Sequence, residues 1–485
     1  MKHITRKTLG VLLALVMVLA LLPGMSLTAL ADGTPAYSGG NGTEAAPYLI
    51  STADDWKALA TAVNGGEAYE GKYFRQTADL DMSGAGNLNP VGNMEHPFAG
   101  NYEGDGFAIS GATINVVVNS GAAVAGVFGV LVGEGHISNL RVTNVTATAT
   151  TGDGGWDQAY AGGLVAFAEN CTITDCSVSN STITASGSNN FAGAFVGFAG
   201  AENSEKTSFS KCASENNTVN TYDYGGGFIG AIVNETNNDD AISFTDCYSA
   251  RNLADAGAHK YGTVGAFLGG SQGGNVTARN CFVYDCNATA TGTGSFKGVF
   301  AGDTTYGTVS ATNTYYYDTQ NLTVNAESAT SKTADEMKTL ASTLGEAFTQ
   351  GSDYPILLHP VNNAVNIENG AYVETEPSSL TVTSTLGTIT RVTVDGKTVD
   401  SKYYFVSGSN VVLSDEFMRS LSNGTHTIRL YDGVTYATAT WTVTGNATPT
   451  ITAPKTADPG VVLYGLLAVS STLGLAWMGK KRKDD

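Results

Sequence analysis

Six times along the middle of this chain a glycine is followed by one further residue and then a bulky apolar one. The copies are Gly126-Val127-Phe128, Gly162-Gly163-Leu164, Gly193-Ala194-Phe195, Gly226-Gly227-Phe228, Gly265-Ala266-Phe267 and Gly298-Val299-Phe300. The bulky residues stand 36, 31, 33, 39 and 33 residues apart. A period of that size marks a stacked solenoid, in which no repeat can bury its apolar face alone and each is completed by its neighbours.

A second column runs through the same repeats. Leu140, Cys176, Cys212, Cys247, Cys281 and Thr314 occupy equivalent places in the strings SNLRV, TDCSV, SKCAS, TDCYS, RNCFV and TNTYY. From bulky residue to column residue the distance is 12, 12, 17, 19, 14 and 14. Constant strands joined by elastic loops are what a parallel β-solenoid permits, since each coil pairs only with the next. The pattern predicts three strands per repeat: one at Gly-x-Phe, one around the cysteine column, and a Thr-rich one such as Val145 to Ala149. The usual bias of crossovers makes the expected helix right-handed. Parallel stacking sets neighbouring column side chains roughly 4.8 Å apart, wider than a disulfide prefers, so buried thiols are expected. Cys171 and Cys286 fall outside the column and have no assigned place.

Open solenoid ends expose strand edges and need covers. Two segments qualify. Ser51 or Thr52 caps a helix through about Val63, with Asp54 and Asp55 in its first turn. Thr333 and Glu336 form a capping box ahead of a helix reaching Phe348. Beyond residue 360 the repeat is lost. Residues 361–376 read as a linker, and 377–446 as a small antiparallel β-sandwich, which resembles the immunoglobulin-like modules of bacterial polysaccharide-degrading enzymes. Its expected strands are Val392-Val394, Tyr403-Val406, Val411-Leu413, Thr425-Leu430 and Thr438-Val443, with turns at Asp395-Gly396, Asn423-Gly424 and Asp432-Gly433. The fold class is therefore all-β: a parallel β-helix over residues 32–360, then a sandwich.

The two ends speak to location. Residues 1–31 have a basic start, an apolar run from Leu9 to Leu22, and Ala29-Leu30-Ala31 before Asp32, as in a secretory signal peptide. At the other end, residues 447–453 are a polar tether. An apolar stretch, 461–478, is just long enough to span a bilayer, and Lys480-Lys481-Arg482-Lys483 follows. The chain carries 25 basic and 44 acidic side chains, a net charge of −19. That balance argues against nucleic acid or an anionic lipid surface as partner.

Two resemblances follow from these residues. Ala161-Gly162-Gly163-Leu164-Val165, leading to Cys171-Thr172-Ile173-Thr174-Asp175-Cys176, resembles the GLUG repeats of bacterial surface proteins. The lead-in Pro47-Tyr48-Leu49-Ile50, Asp79-Leu80-Asp81 and Phe98-Ala99-Gly100 also resembles the opening of such regions. The resemblance implies a β-helical, surface-displayed region of the kind found in adhesin-like proteins and some immunoglobulin-cleaving metallopeptidases. Residues 454–485 resemble the sorting signal of sortase-anchored wall proteins. Pro454 and Thr456 match the family's Leu-Pro-x-Thr-Gly, with Thr456 as the implied acyl donor, while Ala453 and Ala457 depart from it. This implies a Gram-positive cell-wall anchor, with peptidoglycan as the attachment partner and the membrane met through 461–478 before processing.

Chemistry is sparse. A metallopeptidase needs H-E-x-x-H; here His3, His96, His136, His259, His359 and His426 are scattered, with no partner at i+4. Asp79 and Asp81, two apart on a strand, share a face and are the weak candidates for calcium or an acid pair, against a role in satisfying turn amides. For binding, Trp156 in a glycine-rich loop, and Tyr222 and Tyr224 flanking Asp223, offer rings that stack on sugars or anchor a protein; the alternative is that they fold back over the coil. The expected function is a secreted, surface-anchored adhesin-like protein that binds glycan or extracellular matrix, without catalysis or cofactor. A polysaccharide lyase or glycosidase on one β-helix face, or a passive stalk, are the competing readings.

Overall fold

The computed structural model describes residues 37–444, apart from 153, 156, 203–204, 237, 239, 319, 321, 325, 327, 361–364, 368–370 and 374–378. The signal peptide, tether and sorting signal, with Pro454, Thr456 and the apolar stretch 461–478, lie outside the described residues, as does Trp156.

The repeat region is a parallel β-solenoid, and each coil holds five strands rather than three. One complete coil runs Thr172–Thr174, Ser177–Ser179, Thr182–Ser186, Asn189–Gly193 and Val196–Ala201. Stacked on their neighbours, these make five faces, numbered here 1 to 5 in that order. Faces 1 and 2 hold nine strands each and faces 3, 4 and 5 six each. Both sequence motifs mark corners between strands, which is why a three-strand reading fell short. The Gly-x-Phe motif is the bend from face 4 to face 5. A Cβ on Gly226 would lie 1.8 Å from the carbonyl oxygen of Ile229, so only glycine lets the chain double back this sharply. The bulky residues then point inward and form a column in which Phe195, Phe228 and Phe267 stack at 4.6 and 4.8 Å between ring centroids.

The cysteine column lies inside the bend from face 1 to face 2. The residue before each member, Asn139, Asp175, Lys211, Asp246, Asn280 and Asn313, is left-handed, with φ from 49° to 56°. Asn and Asp tolerate that conformation best, and they hold five of these six positions. All six cysteines are free and buried. A second left-handed ladder, Asn144, Asn180, Asn216, Arg251 and Asp285, turns face 2 into face 3. Inside that bend stand Val145, Ser181, Asn217, Asn252 and Cys286, which gives Cys286 its place. They are linked by hydrogen bonds running coil to coil: Ser181 N–H to Asn217 Oδ1 at 2.8 Å, and Asn217 N–H to Asn252 Oδ1 at 2.8 Å. Each buried amide thus satisfies the backbone of the coil below it.

The first end of the solenoid is covered by helix α1, Ala53–Asn64, capped by Thr52 and Asp55 in a reciprocal box. Its Trp56 meets Tyr102 and Phe128 edge-on. The other end departs from expectation. The segment after Thr333 forms two short helices, α2 (Ala334–Met337) and α3 (Ala341–Leu344), and they lie on the flank of face 2, not over the end. The reason is local: face 2 here presents Tyr248, Phe282 and Tyr284 outward, an apolar patch that needs cover more than the end does. Leu322, Ala326 and Ala329 pack against the core in the helices' stead.

Beyond the solenoid two sheets enclose a second core containing Val382, Val392, Val411, Leu413, Ile428 and Trp441. The expected runs are strands, and the Asp395-Gly396 turn has positive φ at both residues, 50° and 75°, the type I′ geometry of a two-residue hairpin. The stretch read as a linker is not bare chain. Val365–Ile367 pairs antiparallel with Leu380–Ser384, and Ala371–Val373 runs parallel to the last strand, Thr435–Thr444. Each is three residues long, too short to show as a strand in the sequence, and is held by an edge that only the folded sheets provide.

Candidate binding surface

The register of face 3 builds one wall of a groove. Thr148, Thr184, Asn220, Asp255 and Thr289 stand opposite one another on successive strands. The other wall comes from the loops entering face 4. The groove has a volume of about 490 Å³ and is lined by Thr184, Ser186, Asn220, Tyr222, Asp255 and His259.

Tyr222 is 52% exposed, and its ring stacks on His259 with centroids 5.5 Å apart. Its position is set by a residue the sequence gave no reason to single out. Asn190, fully buried, accepts hydrogen bonds through Oδ1 from the Thr221 hydroxyl and from the amides of Tyr222 and Asp223, at 2.9, 2.7 and 3.1 Å. Asp223 in turn accepts from the Asn190 amide and lies 3.5 Å from His259 Nδ1. Burial raises the Asp223 carboxyl, offset in part by the Asn190 amide and then by His259. The platform is therefore a braced ring pair beside an amide, a carboxylate and hydroxyls, the mixture that recognises a hydroxyl-rich ligand by stacking and planar hydrogen bonding.

Tyr224, two residues on, points elsewhere. Its ring stacks on Phe191 at 5.5 Å, and Phe191 on Tyr160 at 5.2 Å, in a concave outer corner between faces 4 and 5. Phe167 and Phe198 fill the opposite wall. Tyr222 lies in the bend before the strand Tyr224–Gly226, so its direction is set by the loop and not by strand alternation: Tyr222 stands at the groove, and Tyr224 covers apolar surface. Beyond this corner on face 5 lies Glu169. Burial raises its carboxyl, and Glu202 and Glu235 raise it further.

Asp79 and Asp81 are engaged with backbone. Asp79 accepts from the Ala108 amide at 2.8 Å and Asp81 from the Ser83 amide at 2.9 Å. Among the described residues no group of three or more His, Cys, Asp or Glu is arranged to hold a metal ion. Among them, too, no helix is long and apolar enough to cross a membrane.

Comparison with known proteins agrees with this geometry. The GLUG motif matches residues 157–184. That span starts before face 4, passes the Gly-x-Leu and cysteine corners, and ends on face 3, so one motif is close to one coil. Halomucin of Haloquadratum walsbyi is 34% identical over 121 residues, 24% of this chain and 1% of halomucin. A "Putative Gly-rich membrane protein" of Evansella cellulosilytica is 30% identical over 112 residues, 22% of this chain and 12% of that protein. The chain thus spans only a small part of the length of these curated relatives. Among solved structures, a "putative immunoglobulin A1 protease" from Bacteroides ovatus superposes with a TM-score of 0.51 at 20% identity, over 66% of this chain and 95% of that one. At that identity the likeness establishes a shared fold. The chain is an all-β protein carrying a GLUG-type parallel solenoid.

Proposed function

We propose that this is a secreted, surface-displayed binding protein whose solenoid takes an extracellular glycan or matrix component in the Tyr222–His259 groove. The observation that carries this reading is the groove itself: an exposed ring, braced from behind by His259 and from below by Asn190, beside Asn220 and Asp255. The net charge of −19, the apolar and basic segments at the two ends, and the GLUG motif support display outside the cell. In this reading the sandwich, an immunoglobulin-like module, separates the solenoid from the wall. Pro454 and Thr456 serve a sortase that joins the chain to peptidoglycan.

Binding of the purified full chain to an array of glycans and matrix proteins tests the proposal. Selective binding that disappears with Tyr222→Ala supports it. Unchanged binding in that variant places the ligand elsewhere, and a blank array with an intact fold favours a passive stalk. A catalytic reading rests on Glu169, whose raised carboxyl sits beside the aromatic corner; release of reducing ends from polysaccharide mixtures, lost in Glu169→Gln, would establish it.

A further inference from the structure

Where the sandwich meets face 2 of the solenoid there is a cleft of about 310 Å³. Arg141, Ser177 and Glu215 line it from the solenoid, His359 and Thr435 from the other side. Arg141 and Ser177 are partners in register on neighbouring strands, so guanidinium and hydroxyl rise side by side.

Cations are scarce in this chain, and most of its arginines are engaged. Arg251 pairs with Asp353, Arg279 with Asp240 and Arg419 with Asp415. Arg391 and Arg429 lie over the rings of Tyr431 and Tyr436. The Arg141 guanidinium has no ion pair or hydrogen bond among the described residues, although it lines a cleft. The one carboxylate there, Glu215, is taken by the Tyr248 hydroxyl. His359 is fixed through its backbone, whose N–H donates to the Val434 carbonyl at 3.2 Å, while its ring has no partner among the described residues. Burial, with Arg141 adding to it, lowers His359 to about 4, so at neutral pH the ring is an uncharged donor.

A free guanidinium beside two neutral donors is a receptor for an oxyanion, which guanidinium binds in a planar, two-pronged fashion. Clefts between domains are also a usual place for small ligands. We propose that Arg141, Ser177 and His359 form an oxyanion site at the junction of solenoid and sandwich, taking the carboxylate or sulfate group of a small acidic ligand. The site is separate from the Tyr222 groove and does not depend on it.

Calorimetric titration of the full chain with sodium sulfate, sodium glucuronate and, as a neutral control, glucose tests this. Saturable binding of sulfate or glucuronate, weakened about tenfold or more in Arg141→Gln and less in Ser177→Ala, is the expected result. Arg279→Gln, which removes a paired arginine on face 1, should leave binding unchanged. Which of the two anions binds tells a sulfate ester from a carboxylate. Absence of saturable binding by either anion, equal binding of glucose, or an affinity unaltered in Arg141→Gln would overturn the proposal. Thermal unfolding of the Arg141→Gln chain, expected to match the parent because the side chain is exposed and unpaired, separates lost binding from lost fold.

Discussion

Cys281 and Thr314, one coil apart, make the same two contacts with different atoms. Cys281 Sγ donates toward the Arg279 and Phe244 carbonyls at 3.2 and 3.6 Å; Thr314 Oγ1 donates toward the Thr312 and Ala278 carbonyls at 3.0 and 3.2 Å. In these coils the column position holds a small side chain whose terminal atom faces two backbone oxygens. Sulfur and hydroxyl both serve. Burial pushes the column thiols up, away from the thiolate that reacts, and pushes Cys286 up to about 11. The native chain should therefore resist a thiol reagent such as DTNB at pH 8, with all six cysteines titrating after guanidinium unfolding. A Cys281→Thr variant should unfold within about 1.5 kcal/mol of the parent, because Thr314 already makes the equivalent pair of contacts one coil on.

Removing a link of the amide ladder should cost more. Asn252 donates to the Ser214 and Gly227 carbonyls at 2.9 and 3.0 Å, besides accepting from Asn217. Asn252→Ala strands those buried groups and opens a cavity. We expect a loss of roughly 2–5 kcal/mol in urea unfolding, against which Asn220→Ala on the outer surface of the preceding coil should change little.

The inner and outer aromatics should separate in the same measurement. Phe228 is wedged between Phe195 and Phe267 and fully buried. Phe228→Ala should cost about 3–5 kcal/mol. Tyr222→Ala, at an exposed position, should stay within about 0.5 kcal/mol, leaving its effect on binding interpretable.

Asp175 gives the solenoid a pH dependence. Its side chain is largely buried at the first corner, 3.9 Å from Lys211. Burial raises its carboxyl to about 6; Lys211 draws it back, and Glu103 and Asp246 push it up. An unfolded aspartate titrates near ~4. Between those values the folded chain keeps a proton that the unfolded chain has released, so stability falls as pH rises through about 4 to 6. Asp175→Asn supplies the residue that already occupies the corner at Asn139, Asn280 and Asn313, and suits its left-handed φ of 52°. The variant should melt higher than the parent at pH 7 and show a flatter profile. Equal melting temperatures at pH 4 and pH 7 in the parent would refute this assignment.

The sandwich should respond in the opposite sense. Burial tends to raise the Asp395 carboxyl, but hydrogen bonds from the Thr427 amide and His426 outweigh it and hold the group below the usual carboxylate range. That contribution is present above about pH 4 and is lost as acid protonates the group. Asp395→Asn should lower the melting temperature at pH 6 and have little effect near pH 3.

Much of the fold was legible because a solenoid writes itself in one dimension. The Gly-x-Phe and cysteine columns recur in sequence because each coil repeats the same bend, and each bend imposes its own steric demand: no Cβ at Gly226, a small polar terminus at Cys281. The short strands between bends left no signal, so five per coil read as three. The second corner was missed because Val145, Ser181, Asn217, Asn252 and Cys286 share no residue type. They share only an inward position and a hydrogen bond, and neither is visible before the coils stack.

The sequence by itself determined that the chain stacks, with what period, and that it is acidic, since periodicity and charge are properties of residues taken in order. Only the tertiary structure decided what the surfaces are for. It turned Tyr222 toward a groove and Tyr224 onto Phe191. It placed Asn190 beneath a loop more than thirty residues further on. It brought His359, from beyond the solenoid, into one cleft with Arg141. Such meetings depend on which strand lies over which, and loop lengths that vary from coil to coil set that register only once the coils have closed.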